Sequence, residues 1–316
     1  MSRPRFLPIA LAWSLGWSLA WSLAWSSGAA LAQPPVRVAV EPGVPPALGE
    51  TARAVASAAL PFLARDLGLP DTAEPVDVVV AVDGPGMRAA GRRRGQRVAA
   101  GASTAGVTRG DTLYLNAKYF LVRGKSGPRP AADVAAKVAE VTSHELTHVL
   151  VNRASRHNMP RWLNEGLAVN ECARYIAQVK GAPDESRRFV ARRLAPLKGE
   201  PPIPLEELEF GKEAAREFYG AEHRACYASS FAAVLAMSDA FGQARLGALV
   251  RACGQGLPHH TTVPERRLRW YRALRTTLNR DAADLTILRD DWVHAHAPPV
   301  QAAPVDDDMP AESDPD

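Results

Sequence analysis

Cysteine is scarce. The 316-residue chain has three, Cys172, Cys226 and Cys253, and their spacing forms neither a CxxC pair nor a zinc knuckle. That excludes a cysteine-held zinc and a dithiol redox centre of the usual spacing. An excess of one charge is also lacking. Lys+Arg 38 against Asp+Glu 34 leaves +4, too little for a nucleic-acid-binding surface, so no nucleic-acid partner is expected. With 47% hydrophobic and 23% charged residues, the composition excludes a disordered chain, a collagen-like repeat and a multi-span membrane protein. What remains is a globular chain of one large domain or two small ones.

The one internal repeat lies at the N-terminus. Arg3 and Arg5 precede an apolar stretch from Phe6 to Leu31, ending in Ala30-Leu31-Ala32 before Gln33, a small-x-small cleavage pattern. No cysteine follows, which excludes a lipoprotein signal. Trp13, Trp17, Trp21 and Trp25 recur at every fourth position and would form one stripe on a helix. Residues 1–32 are expected to be a cleaved signal peptide. The stretch is also long enough to span a bilayer, and only if it is retained as an anchor is membrane contact expected. Both readings export the rest of the chain, to the periplasm or the extracellular space. At the other end, Gln301–Asp316 carries six acids, three prolines and no base, so 299–316 is expected to be a disordered acidic tail.

Between these ends the pattern changes once. Residues 33–130 read as a mixed α/β region. Val36–Val40 alternates like a strand, Leu48–Leu67 has helical spacing, Val76–Val82 is a buried β-branched run, and Thr112–Asn116 is a short strand. Arg88, Arg92, Arg93, Arg94 and Arg97 fall in a glycine-rich stretch that reads as a solvated loop. Residues 131–298 read as almost all helix. The predicted helices are Asp133 to about Asn152, Leu163–Lys180, Ala225–Ala240, Gln243–Ala252, Arg266–Leu278 and Ala282–Ala297, with prolines breaking the chain before Leu205–Phe210. The expected fold class is α+β.

The chemistry concentrates in 144–165. His144-Glu145-Leu146-Thr147-His148 is an HExxH motif, whose i, i+4 spacing puts both imidazoles on one helix face, able to bind one zinc ion. Glu145 lies beside them, placed to act as base on a zinc-activated water. The motif alone arises by chance. Its context is more demanding, because Val134, Val138, Val141, Val149 and Leu150 make this a buried helix, where polar side chains need partners. Downstream, in Trp162-Leu163-Asn164-Glu165-Gly166-Leu167-Ala168, Glu165 can open a second helix and reach back as a third ligand. Two His and one Glu leave a fourth position open, the layout of catalytic zinc.

HELTH followed by WLNEGLA resembles the gluzincin metallopeptidases, including aminopeptidase-N-like enzymes and exported peptidase MA-like proteins. The resemblance runs from about Ala99 to Val293. It implies a zincin fold, with Glu165 as third ligand and Thr112–Asn116 as the edge strand before the metal helix. It also places the family's catalytic tyrosine at Tyr227, in Tyr227–Leu235, with Leu246–Val250 and Leu285–Val293 as later helices. Where the family often shows a Tyr and then a Glu, this chain has Asn170, Glu171 and Cys172; Glu171 is read either as orienting a ligand histidine or as facing solvent. His223, and after it Tyr219, are the alternatives to Tyr227. His157, His259, His260, His294 and His296 are read as surface histidines.

The resemblance implies an exported, zinc-dependent peptidase with one Zn2+ per chain on His144, His148 and Glu165. Glu145 would be the general base, Tyr227 would donate to the oxyanion, and a peptide or protein substrate would add as a strand to Thr112–Asn116. No amine-anchoring Glu motif stands in the expected edge-strand region, which favours endopeptidase slightly over aminopeptidase. The alternatives are a zincin-fold binding or assembly protein without turnover, and a zinc amidase acting on cell-wall peptides. For an exported chain, three cysteines predict one disulfide and one free thiol, with three buried thiols as the alternative. Cys172–Cys226, tying the third-ligand helix to the tyrosine helix, is the first pairing, then Cys226–Cys253, then Cys172–Cys253.

Overall fold

The run Val-Asp-Val-Val-Val-Ala forms the centre of the sheet because both its faces find apolar cover. The computed structural model describes residues 36–69, 74–101, 103–123, 127–197, 202–210, 223–256 and 261–296. The expected signal (1–32) and acidic tail (299–316) lie outside them, as do Tyr219, His259 and His260. Strand β2 (Val76–Ala81) pairs in parallel with β1 (Val36–Val40) and with β4 (Thr112–Asn116), and β3 (Gly106–Arg109) runs antiparallel to β4, giving the order β1-β2-β4-β3. Val78 sits between Val38 and Leu113, and Val107 lies opposite Tyr114. Val76, Val78, Val80, Leu113 and Leu115 enter the main core; Val79, Ala81, Val107 and Tyr114 enter a smaller one. A strand buried on both faces needs a continuous apolar run rather than alternation.

Two expectations change here. Thr112–Asn116 is a strand, but an internal one, paired on both sides; the edge beside it is β3, a four-residue segment too short to read as a strand. The arginine-rich stretch is in part a helix, α2 (Gly84–Arg93). Asp83 caps it by accepting from the Gly86 N–H at 2.8 Å, and Met87 and Ala90 bury its inner face in the smaller core. Arg92, Arg93, Arg94 and Arg97 are exposed around its end.

The other helices are α1 (Pro46–Asp66), α3 (Ala117–Leu121), α4 (Ala131–Ser155), α5 (Arg161–Gln178), α6 (Pro183–Leu194), α7 (His223–Phe241), α8 (Gln243–Gly254), α9 (Val263–Leu278) and α10 (Ala282–His296). The fold is α+β, and among the described residues no helix is long and apolar enough to cross a membrane. Helix α6 was not expected: six charged residues surround Phe189, Val190 and Leu194 and mask its apolar face.

Helix α4 is the axis of the molecule. It packs against α1, α5, α8 and β3, and residues 138–151 are buried except for Glu140. Two of its buried hydroxyls bond back to their own helix, Ser143 Oγ to the Ala139 carbonyl at 2.7 Å and Thr147 Oγ1 to the Ser143 carbonyl at 2.9 Å. Helix α5 lies between α4 and α7. Its start is pinned by an edge-to-face contact of Trp162 with Trp270 and by donation from the Arg161 N–H to the Glu209 carbonyl at 2.8 Å. The α5–α7 crossing closes at Gly166, where a Cβ would stand 2.4 Å from the Ser230 carbonyl oxygen. Only glycine admits that approach.

The expected disulfide is absent, for all three cysteines are free and buried. Cys172 packs with Val169, Phe189 and Phe231, its thiol donating to the Glu140 carbonyl at 3.4 Å, whereas Cys226 and Cys253 belong to the main core. Burial pushes the Cys172 and Cys253 thiols up to about 12. These sulfurs serve as small apolar side chains.

Gly166→Ala should therefore force α5 and α7 apart. Thermal or urea unfolding should read a loss of about 1–3 kcal/mol, the usual range for overpacking a tight crossing. A variant as stable as the parent would contradict the close approach.

Candidate metal centre

The i, i+4 spacing on α4 brings His144 and His148 edge to face, with their Nε2 atoms 3.1 Å apart. Helix α5 begins after Pro160, so Glu165 falls in its second turn and faces α4. Its Oε2 lies 3.3 Å from His148 Nε2 and 3.7 Å from His144 Nε2. All three side chains are buried, and their ligand atoms lie within 4.8 Å of one another, a group that can hold a metal ion.

The donors suit a cation. Glu165 Oε2 is buried within ion-pair range of both imidazoles yet takes no aligned hydrogen bond, and two imidazole nitrogens face each other at contact distance. Burial draws the His148 pKa down, but the Glu165 carboxylate overrides it and lifts the value to about 9. Burial likewise raises Glu165, and the two imidazoles more than reverse this, holding it well below the usual carboxylate range. A proton on His148 thus occupies the electrostatic place that a divalent cation would take.

His148 is also held from behind. Asn164 Oδ1 lies 3.0 Å from His148 Nδ1, and Asn164 Nδ2 donates to Asn152 Oδ1 at 3.3 Å. That second bond turns the Asn164 carbonyl toward the ring, so Nδ1 carries a proton and the Nε2 edge faces the centre. The sequence reading missed Asn164, although it directly precedes Glu165. Glu171 neither faces solvent nor orients a histidine: it is fully buried and accepts from Asn170 Nδ2 at 3.1 Å and Gln243 Nε2 at 3.0 Å. Burial and the nearby Asp66 carboxylate raise its pKa.

Glu145 comes to the same centre and is 4% exposed. Its Oε2 accepts from Thr108 Oγ1 at 2.7 Å, a contact from the edge strand that sequence reasoning also missed. Strand β3 rides directly on α4, since a Cβ on Gly106 would stand 2.7 Å from Val141 Cγ1 and 3.0 Å from Glu145 Cγ. A cleft opens there, lined by Gly106, Val141, His144, Glu145, Glu140 and Arg193 among others. Tyr227 is on α7, one turn before the Ser230 that meets Gly166, and its ring is part of the main core. The structure thus brings His144, Glu145, His148 and Glu165 together and sets Tyr227 on the neighbouring helix. His223 opens α7, and His157, His294 and His296 are exposed as expected. No protein-family model and no curated protein matches this chain.

Two tests follow from this geometry. Asn164→Ala should keep the fold but weaken divalent-metal affinity by about 10–100-fold in competition with a chelator, the range for losing a partner behind a ligand histidine; unchanged affinity would remove Asn164 from the site. Glu140 supplies the pH test. Burial would raise its pKa, but Lys137 and Arg193 hold it at about 2, below its ordinary 4.5. A depressed carboxylate stabilises the fold above its unfolded pKa and loses that contribution as pH falls toward its folded one. Glu140→Gln should therefore be less stable than the parent above about pH 5, and the difference in Tm should shrink from about pH 4.5 and vanish near pH 2.

Proposed function

We propose that this chain is an exported zinc peptidase of the gluzincin type. The observation that carries the reading is the convergence of His144, His148 and Glu165 at one buried point, with Glu145 beside them on the cleft. Two nitrogens and one carboxylate oxygen are the donor set of catalytic zinc, whose fourth position serves water or substrate. The zincin reading of the fold draws support from the paired helices α4 and α5 and from an edge strand lying over α4.

Zinc at this centre would supply Lewis-acid activation of water and of the substrate carbonyl. The residues supply the rest. Glu145, oriented by the Thr108 hydroxyl, takes the proton of the attacking water and passes it to the departing amine. Asn164 holds His148 in the tautomer that presents Nε2. The substrate strand pairs with β3, which among the described residues has a partner strand on one side only, and not with β4. Tyr227 donates a hydrogen bond to the tetrahedral oxyanion.

One experiment tests the set. The parent should bind about one zinc per chain and cleave members of a peptide library. His148→Ala should lose the metal. Glu145→Gln should keep zinc and lose turnover by about a hundredfold or more. In the same assay Tyr227→Phe should lower kcat more than it raises KM. Zinc binding with no cleavage by the parent would turn the reading into a zinc-binding protein without turnover.

A further inference from the structure

A second polar cluster is buried away from the metal ligands, among the end of α1, the middle of α5 and the start of α8. Glu171 of α5 is fully buried there. Its Oε1 accepts twice, from Asn170 Nδ2 and from Gln243 Nε2. Its Oε2 is buried too and has no donor among the described residues. Gln243 Oε1, on the amide that donates to Glu171, is another buried oxygen without a donor among them. Buried acceptors are costly when left unpaired.

The charges do not balance either. Asp66, at the end of α1, lies within hydrogen-bonding reach of Glu171. Two carboxyl groups can bond to each other only when one of them carries a proton. The cation beside them is Arg174, and it is committed to Asp66 by two parallel bonds, Nε to Oδ2 at 2.6 Å and Nη2 to Oδ1 at 2.8 Å. An ionised Glu171 would add an unmatched negative charge in a buried place, next to another carboxylate. A proton on Oε2 removes both faults. It makes the cluster neutral, and it supplies the donor that the buried oxygens lack.

The pull of Arg174 toward ionisation is weaker than the opposing effects of burial and Asp66. Other charged groups of the surrounding elements serve elsewhere. Glu140 and Lys137 of α4 and Arg193 of α6 act on Cys172. Asp239 of α7 accepts from Trp292 Nε1 at 2.7 Å, and Arg65 of α1 and Arg245 of α8 are exposed.

We propose that Glu171 holds one proton in the native protein and that this proton latches α5 to α1 and α8. The latch is independent of the metal and of the peptidase reading. Its sign is opposite to that of Glu140. An acid that the fold keeps neutral, and that the unfolded chain lets ionise, gives stability that is complete below its ordinary pKa of 4.5. That stability drains away as pH rises toward the folded value.

The test compares unfolding of the full chain in the parent and in Glu171→Gln from about pH 5 to about pH 9. The amide has the shape of the neutral acid and donates without needing a proton. Both proteins carry the same metal centre and the same Glu140, so their difference isolates Glu171. The gap between them should be smallest near pH 4.5. Above that, the folding constant of the variant should gain on the parent by up to about tenfold per pH unit, until Glu171 ionises in the fold. A gap that stays constant, or a variant that loses ground as pH rises, would overturn the proposal. Infrared spectroscopy reads the proton directly. At neutral pH the parent should show the carbonyl band of a protonated carboxylic acid, and Glu171→Gln should remove it. Were Glu171→Gln not to fold, Asp66→Asn decides: it leaves Arg174 to pair with Glu171, so the acid band should disappear. A parent without the band, or a band that survives in Asp66→Asn, would overturn the proposal.

Discussion

The structure turns on one constraint: two imidazoles and a carboxylate are buried at a single point between α4 and α5. Each would be costly there alone, and each is made tolerable by the other two. The electrostatics record this, with Glu165 lifting His148 to about 9 against the pull of burial. Much of the surrounding fold serves to hold the two helices at that spacing. Trp162 against Trp270 fixes the start of α5, Gly166 lets α7 press on its far side, and β3 lies across α4.

A second consequence of this crowding is that the centre has a front and a back. Behind His148, Asn164 and Asn152 complete a hydrogen-bond chain inside the protein. In front, Glu145 meets Thr108 of an edge strand whose backbone approaches the helix through Gly106. Behind the imidazole stand half-buried asparagines, and the side that holds the carboxylate opens on a cleft. Catalytic zinc sites keep one coordination position open, whereas structural ones are closed.

How much of this was legible in the sequence depended on length and regularity. His144 and His148 show themselves because a helix repeats every 3.6 residues, and Glu165 because a tryptophan-led apolar run announces the next helix. The two-faced strand β2 shows itself by its run of valines, interrupted by Asp77 alone. Strand β3 did not, because Gly106–Arg109 owes its strand character to β4 and α4 and not to its own residues. Helices α2 and α6 were hidden by arginines whose stems shield a narrow apolar face. Asn164 and Thr108 act through single hydrogen bonds, which leave no periodic trace. The disulfide was expected from a count, and a count carries no positions: Cys172 lies in a different cluster from Cys226 and Cys253.

The Arg193–Glu140 contact has a bearing on how the molecule assembles. His148 and Asn164 are 16 residues apart, so the metal half of the site closes a short loop. Arg193 and Glu140 are 53 apart, and closing that loop costs about 1 kcal/mol more in chain entropy. Nothing covalent offsets this, because none of the cysteines is joined. The cleft wall thus depends on a longer-range closure than the hairpin that gathers the ligands.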